Sequence, residues 1–192
     1  MTKLSRTVRA VLIGGTLISL PTLSAAQEDI LRPPGEDVQV PAEAEAAARL
    51  LAFVSEIDES ADLQANGAIF EVEDVQLRLV FDLNADRMRV MTPVAPVSEI
   101  TPDELFRLMQ ANFDSALDAR YAIAQDAVWS TFIHPLSSLT TEDFASGIAQ
   151  AVNLVKTYGS SYSSGALVFG EGDSADEQRR LVDELIEKGR EI

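Results

Sequence analysis

The chain has 192 residues, 46% of them hydrophobic and 6% aromatic, which suits one domain with tails and a mainly aliphatic core. With no cysteine, disulfides, thiolate metal sites, iron–sulfur clusters and cysteine nucleophiles are excluded. A net charge of −16, from 31 acidic and 15 basic residues, speaks against nucleic acid and anionic lipid as partners, because both are held by Lys/Arg-rich surfaces.

Lys3, Arg6 and Arg9 precede an apolar run, Val11 to Leu20, and Ser24-Ala25-Ala26 follow with small side chains. That succession predicts a secretory signal over residues 1–26, cleaved after Ala26, and a periplasmic or secreted protein. The run is shorter than the roughly 20 residues of a spanning helix and ends at Pro21, so no membrane association is expected after cleavage. Losing the three basic residues takes the net charge from −16 to −19.

Residues 27–41 are polar and hold Pro33, Pro34, Gly35 and Pro41, which predicts a disordered leader. From Ala42, Leu50, Leu51, Val54 and Ile57 recur at helix spacing, and a helix is expected to end near Glu59, before a Ser60–Gly67 loop. Three strands are expected next. Ala68–Val72 is the first; Val75–Phe81 and Arg87–Met91 alternate apolar and polar residues, with Val75, Leu77, Leu79, Phe81, Met88 and Val90 inward. Asp82 to Asp86 lacks the Gly and Glu that a calcium loop needs at its sixth and twelfth positions, and reads as a hairpin turn. Pro93 and Pro96 are expected to break the sheet.

Thr101-Pro102-Asp103-Glu104 predicts a capped helix start, with Leu105, Leu108, Met109 and Phe113 as its apolar stripe. Strands near Arg120–Ala124 and Ala127–Ile133 meet at Gln125-Asp126. A last core helix opens at Thr140 or Thr141, buries Phe144, Ile148, Ala151, Val152, Val155 and Tyr158, and stops at Gly159. Residues 160–172 read as a Ser/Gly-rich linker, and Ser174–Arg190 as a charged amphipathic helix with Leu181, Val182, Leu185 and Ile186 on one side. The core domain is thus expected over residues 42–159.

No G-x-S-x-G, P-loop, G-x-G-x-x-G or H-E-x-x-H pattern occurs. His134 is the single histidine, without a second ligand for a metal or a placed acid for a Ser–His pair, and reads as a turn residue. Glu71/Glu73 and Asp103/Glu104 read as a solvated strand face and a helix N-terminus. Trp129 reads as core. No catalytic residue, cofactor or metal ligand is assigned.

The order helix, three strands, helix, two strands, helix defines an α+β chain with an antiparallel sheet packed against helices. In that order, Glu104–Phe113 with its Asn112-Phe113 ending, Ala119–Phe144, and the helix through Val155 resemble the YbjN-like and type III secretion (Tir) chaperone-like group. The resemblance covers about residues 43–158; the signal and residues 160–192 are additional to it. It implies a homodimer that binds another polypeptide without enzymatic activity. It places the dimer or partner surface on the helix carrying Leu105, Leu108, Met109 and Phe113 and the strand carrying Tyr121 and Ile123. Two alternatives stay open: a small-ligand or enzymatic periplasmic domain using Asp/Glu side chains, and a component of an envelope stress or sensory pathway.

Overall fold

The computed structural model describes residues 40–114, 117–158 and 175–189. The segment expected as a signal, most of the expected leader, Gly159 and the expected 160–172 linker lie outside them. The elements run α1 (Ala42–Ile57), β1 (Asp62–Gln64), β2 (Gly67–Val72), β3 (Val75–Asp82), β4 (Arg87–Pro96), a 3-10 turn (Val97–Glu99), α2 (Pro102–Asp114), β5 (Arg120–Ala124), β6 (Ala127–His134), α3 (Thr141–Lys156) and α4 (Ala175–Lys188). The strands form one antiparallel sheet in the order β1-β2-β3-β4-β6-β5, an α+β arrangement as expected.

Alternation decides the two faces of the sheet. Ala68, Phe70, Val72, Val75, Leu77, Leu79, Phe81, Met88, Val90, Val128 and Phe132 are buried on one side. α3 covers that face with Phe144, Ile148, Ala149, Ala151 and Val152, and α1 joins it with Leu50, Phe53 and Val54. The Phe53 and Phe144 rings meet edge to face at 5.6 Å, tying the two helices together. α4 completes the layer by burying Leu181 and Leu185, with Val182 and Ile186 partly covered.

Turn and cap chemistry fixes the connections. Glu73-Asp74 and Gln125-Asp126 are two-residue hairpin turns with both residues at positive φ (48° and 64°; 50° and 58°), the primed geometry that matches strand twist. Thr140 caps α3 by accepting from the Asp143 N–H at 3.0 Å. The Asp82 carboxylate accepts from the N–H groups of Asn84 and Ala85, so the Asp-rich segment is a turn.

Three expectations are corrected. The 60–67 loop contains β1, three exposed residues too short to show periodicity. β4 runs through Pro93 and Pro96 instead of ending at Met91. Its pairing with β3 stops at Met91, so beyond that point it has a partner only in β6, and a residue without an N–H is tolerated toward the open side; the register slips between Pro93 and Ala95. Trp129 is not core. It pairs with Ala122 and Pro93 on the face away from α3, is half-buried, and donates its indole N–H to the Ala124 carbonyl at 2.8 Å. Tyr121, Phe132, Phe144 and Ile148 are buried between the hairpin and α3.

Helix-to-sheet contact is closest at Gly147, where a Cβ would lie 2.4 Å from Phe132 ring carbons. Gly147→Ala is therefore expected to gain up to about 1 kcal/mol of helix propensity and lose about 1–3 kcal/mol to overpacking. The net effect is lower stability in urea or thermal unfolding, largely recovered by adding Phe132→Leu. An unchanged midpoint for the single variant would contradict this packing.

Candidate interaction surface

β5 is the last strand of the sheet, and polar bonds to α3 hold it there. The buried Gln150 side chain accepts from the N–H groups of Asp118 and Ala119 at 2.7 and 2.9 Å. Tyr121 donates its hydroxyl to the Leu154 carbonyl at 2.6 Å, and Ser130 on β6 donates to the Ala151 carbonyl at 3.0 Å. Each satisfies a group that would otherwise be buried without a partner.

α2 lies against this edge. Its start is a reciprocal cap: the Glu104 carboxylate accepts from the Thr101 N–H and hydroxyl, both at 2.8 Å, and the Glu104 N–H donates to the Thr101 hydroxyl at 3.3 Å. Near its end Asn112 reads β5 as a neighbouring strand would. Its amide oxygen accepts from the Tyr121 N–H at 2.7 Å, and its amide nitrogen donates to the Tyr121 carbonyl at 3.0 Å. By antiparallel alternation the N–H and C=O of Ile123 point to the same side, away from β6, past the reach of that amide.

The stripe expected on α2 divides. Leu108 is fully buried and Leu105 half-buried, whereas Phe106, Met109 and Phe113 are 65%, 46% and 76% exposed, and Ile123 on β5 is 49% exposed. Of the six residues named from sequence, Met109, Phe113 and Ile123 therefore present surface, and Leu108 and Tyr121 belong to the core. Phe106 was missed because it falls outside the stripe that contacts the sheet. Its signal was an aromatic residue next to that stripe with no inward position left to fill.

Asp118, Arg120, Phe132, Ile133, His134, Asp143 and Ser146 line a depression of about 390 Å³. His134 stacks on Phe132, and its Nδ1 lies 2.8 Å from the Pro135 carbonyl, so a backbone oxygen, not a carboxylate, orients the ring. Ser146 accepts from the Gln150 amide, and Asp143 accepts from the Thr140 hydroxyl. These side chains are engaged in holding α3 and β5. Among the described residues no three His, Asp or Glu side chains are grouped to hold a metal ion.

The carboxylates with displaced pKa values lie elsewhere and are all lowered by fold-holding partners. Ser60 hydrogen bonds, with an N–H from Glu71, hold Asp58 down at the end of α1. The Ser137 N–H and hydroxyl do so for Asp86, joining the β3–β4 turn to the β6–α3 loop, and Thr101 does so for Glu104. Glu73 is lowered first by its hydrogen bond to Lys156 and then by Arg180, which clamps the β2–β3 turn to α3 and α4.

No protein-family model matches the chain, and no curated sequence does. Solved structures similar in shape include three complexes. One is the Yersinia pestis type III secretion chaperone SycH in complex with a stable fragment of YscM2, at 14% identity over 59% of this chain and 98% of that chain, TM-score 0.47. Another is the HopA1-SchA chaperone-effector complex, at 10% identity over 59% and 95%, TM-score 0.45. The ExsC-ExsE complex follows at 14% identity over 60% and 98%, TM-score 0.40.

The Glu73 clamp sets a pH response. A carboxylate whose folded pKa lies below its ordinary 4.5 stabilises the fold above that value, and the contribution is lost as pH falls through the folded pKa. Lys156 and Arg180 are substantially exposed, so solvent screening keeps the contribution of the clamp small. Hydrogen exchange at Leu181 and Leu185 is expected to speed up as pH falls below 4.5, after correction for intrinsic rates. Glu73→Gln is expected to remove most of that pH dependence.

Proposed function

We propose that this chain is an exported, non-enzymatic polypeptide-binding protein of the YbjN-like, secretion-chaperone-like kind, and that it works as a homodimer. The observation that carries the reading is the apolar row Phe106, Met109 and Phe113 beside Ile123 at the open edge of β5. Three large apolar side chains on the outer side of a 13-residue helix are a surface awaiting a partner rather than scattered exposure. Capping and the Asn112 clamp hold that helix rigid, so little ordering entropy opposes association.

A two-fold contact suits the geometry. α2 against its symmetry mate buries Phe106, Met109 and Phe113 on both sides at once, and the outward N–H and C=O of Ile123 can extend the sheet by edge pairing. The charged side chains within α2 are Asp103, Glu104 and Arg107 toward its first turns and Asp114 at its end, which leaves Met109 and Phe113 without a charge between them. Export rests on the basic, apolar and small-residue succession of residues 1–26.

The double variant Phe106→Asp/Phe113→Asp is expected to convert a dimer into a monomer in light scattering coupled to size exclusion, with far-UV circular dichroism unchanged. A wild-type chain that stays monomeric at every concentration would remove the dimer from this reading.

A further inference from the structure

The sheet has a second face that no described helix covers. α1, α3 and α4 lie on the inner side, so the positions alternating with the core point away from them. In an antiparallel sheet with one wet face those positions are expected to be polar. Here Ile69 on β2, Val80 on β3, Met91 on β4, and Trp129 and Ile133 on β6 all take outward positions. Ile133 is half exposed and the other four are half-buried.

The charges on this face run against the composition of the chain. Arg78 on β3, Arg87 and Arg89 on β4, and Arg120 on β5 stand among these apolar residues. Cross-strand register places Arg78, Met91, Thr131 and Arg120 in one row and Val80, Arg89 and Ile133 in the next. Three strand spacings separate Arg78 from Arg120, about 14 Å. None of the four arginines is within ion-pair distance of a carboxylate among the described residues; Arg87 and Arg120 donate to the neighbouring backbone carbonyls of Asp86 and Ala119, and Arg87 also attracts the Asp86 carboxylate at longer range. The acidic outward residues on the strands are Asp62 and Glu71 toward the β1–β2 margin and Asp82, opposite Arg87 at the end of β3, and Asp118 and Asp143 line the depression that Arg120 borders, so Arg78 and Arg89 are the arginines farthest from carboxylates. The Thr131 hydroxyl, in the middle of the first row, is buried and has no hydrogen-bond partner.

We propose that this outer sheet face docks an acidic polypeptide segment that carries apolar side chains among its carboxylates. The occupant follows from complementarity. A guanidinium presents a planar fork that a carboxylate matches with two hydrogen bonds, and the apolar residues between the arginines select a segment that is not merely charged. A second copy seated on the same face would set arginines against arginines. An anionic membrane or a nucleic acid extends beyond this face and would meet the acidic remainder of a chain of net charge −16, whereas a short segment is confined to the arginines. The site is separate from the α2–β5 surface and does not require a dimer.

Trp129 is the single tryptophan of the chain and stands on this face, so its emission reports occupancy directly. The test titrates the full chain with a 16-residue peptide of glutamates with leucines at helix spacing, with its lysine counterpart, and with phosphatidylglycerol vesicles. A saturable blue shift with the glutamate peptide alone is expected, weakening at least tenfold between 50 and 500 mM salt. Arg78→Glu/Arg89→Glu, both at exposed positions, is expected to weaken binding tenfold or more with unchanged circular dichroism; Arg78→Ala/Arg89→Ala should give an intermediate loss. Phe106→Asp/Phe113→Asp should bind as wild type even where it abolishes dimers, which separates this site from the dimer reading. Four results would each overturn the proposal: no response to the glutamate peptide, equal binding of the lysine peptide, binding indifferent to the arginine variants, or a shift with vesicles only.

Discussion

The cover that α3 gives the sheet is the constraint on which the rest of the structure depends. A twisted antiparallel sheet with one apolar face is unstable until that face is dry. α3 approaches closely enough that Gly147 faces the Phe132 ring with no room for a methyl group. Its buried residues include the small Ala145, Gly147, Ala149 and Ala151, with Phe144 and Ile148 filling the space between strands. Close approach through small residues gives α3 contact with β4, β5 and β6 together, and α1 and α4 then pack beside it.

That same approach explains why the hairpin β5–β6 carries buried polar groups. Gln150, Ser130 and Tyr121 all bond to backbone across the α3–hairpin boundary. Apolar packing alone is indifferent to small slips of a strand, whereas each of these bonds is satisfied in one register only, and a slip would leave its group buried and unpaired. Asn112 extends the same discipline to the outer edge, where its amide occupies the place of a further strand at Tyr121. α2 is thereby fixed to the edge by buried Leu108 and Ala111 and one amide, and Phe106, Met109 and Phe113 are left facing outward.

Charge is divided by task. The carboxylates that deviate from ordinary behaviour, Asp58, Glu73, Asp86 and Glu104, are turn, cap and clamp residues. Four arginines without a carboxylate ion pair, Arg78, Arg87, Arg89 and Arg120, stand on the uncovered side of the sheet. A chain so acidic overall has carboxylates in excess for structural work, and a concentration of unpaired guanidinium groups on one face is the feature its composition would least produce.

Periodicity and local caps made most of the elements legible. The 3.6-residue recurrence of α1, α3 and α4, the strict alternation of β3, and the Thr101–Glu104 and Thr140 caps are properties of a few consecutive residues, so they can be read without knowing what lies opposite. The α+β class follows from their order. What could not be read that way is which of two faces is covered, and by what. Alternation in β6 separates Val128, Ser130 and Phe132 from Trp129, Thr131 and Ile133, but only the position of α3 decides that the serine side is the core and the tryptophan side the surface. The stripe of α2 looks like a core stripe for the same reason, and only the narrowness of its contact with β5 leaves Met109 and Phe113 outside. β4 continued through two prolines because of where β3 ends, a fact of pairing rather than of the prolines themselves. Sequence alone determined the elements, their order and their amphipathic division, because those depend on near neighbours along the chain. The tertiary structure decided which halves are surface, because burial depends on how much covering material reaches each face.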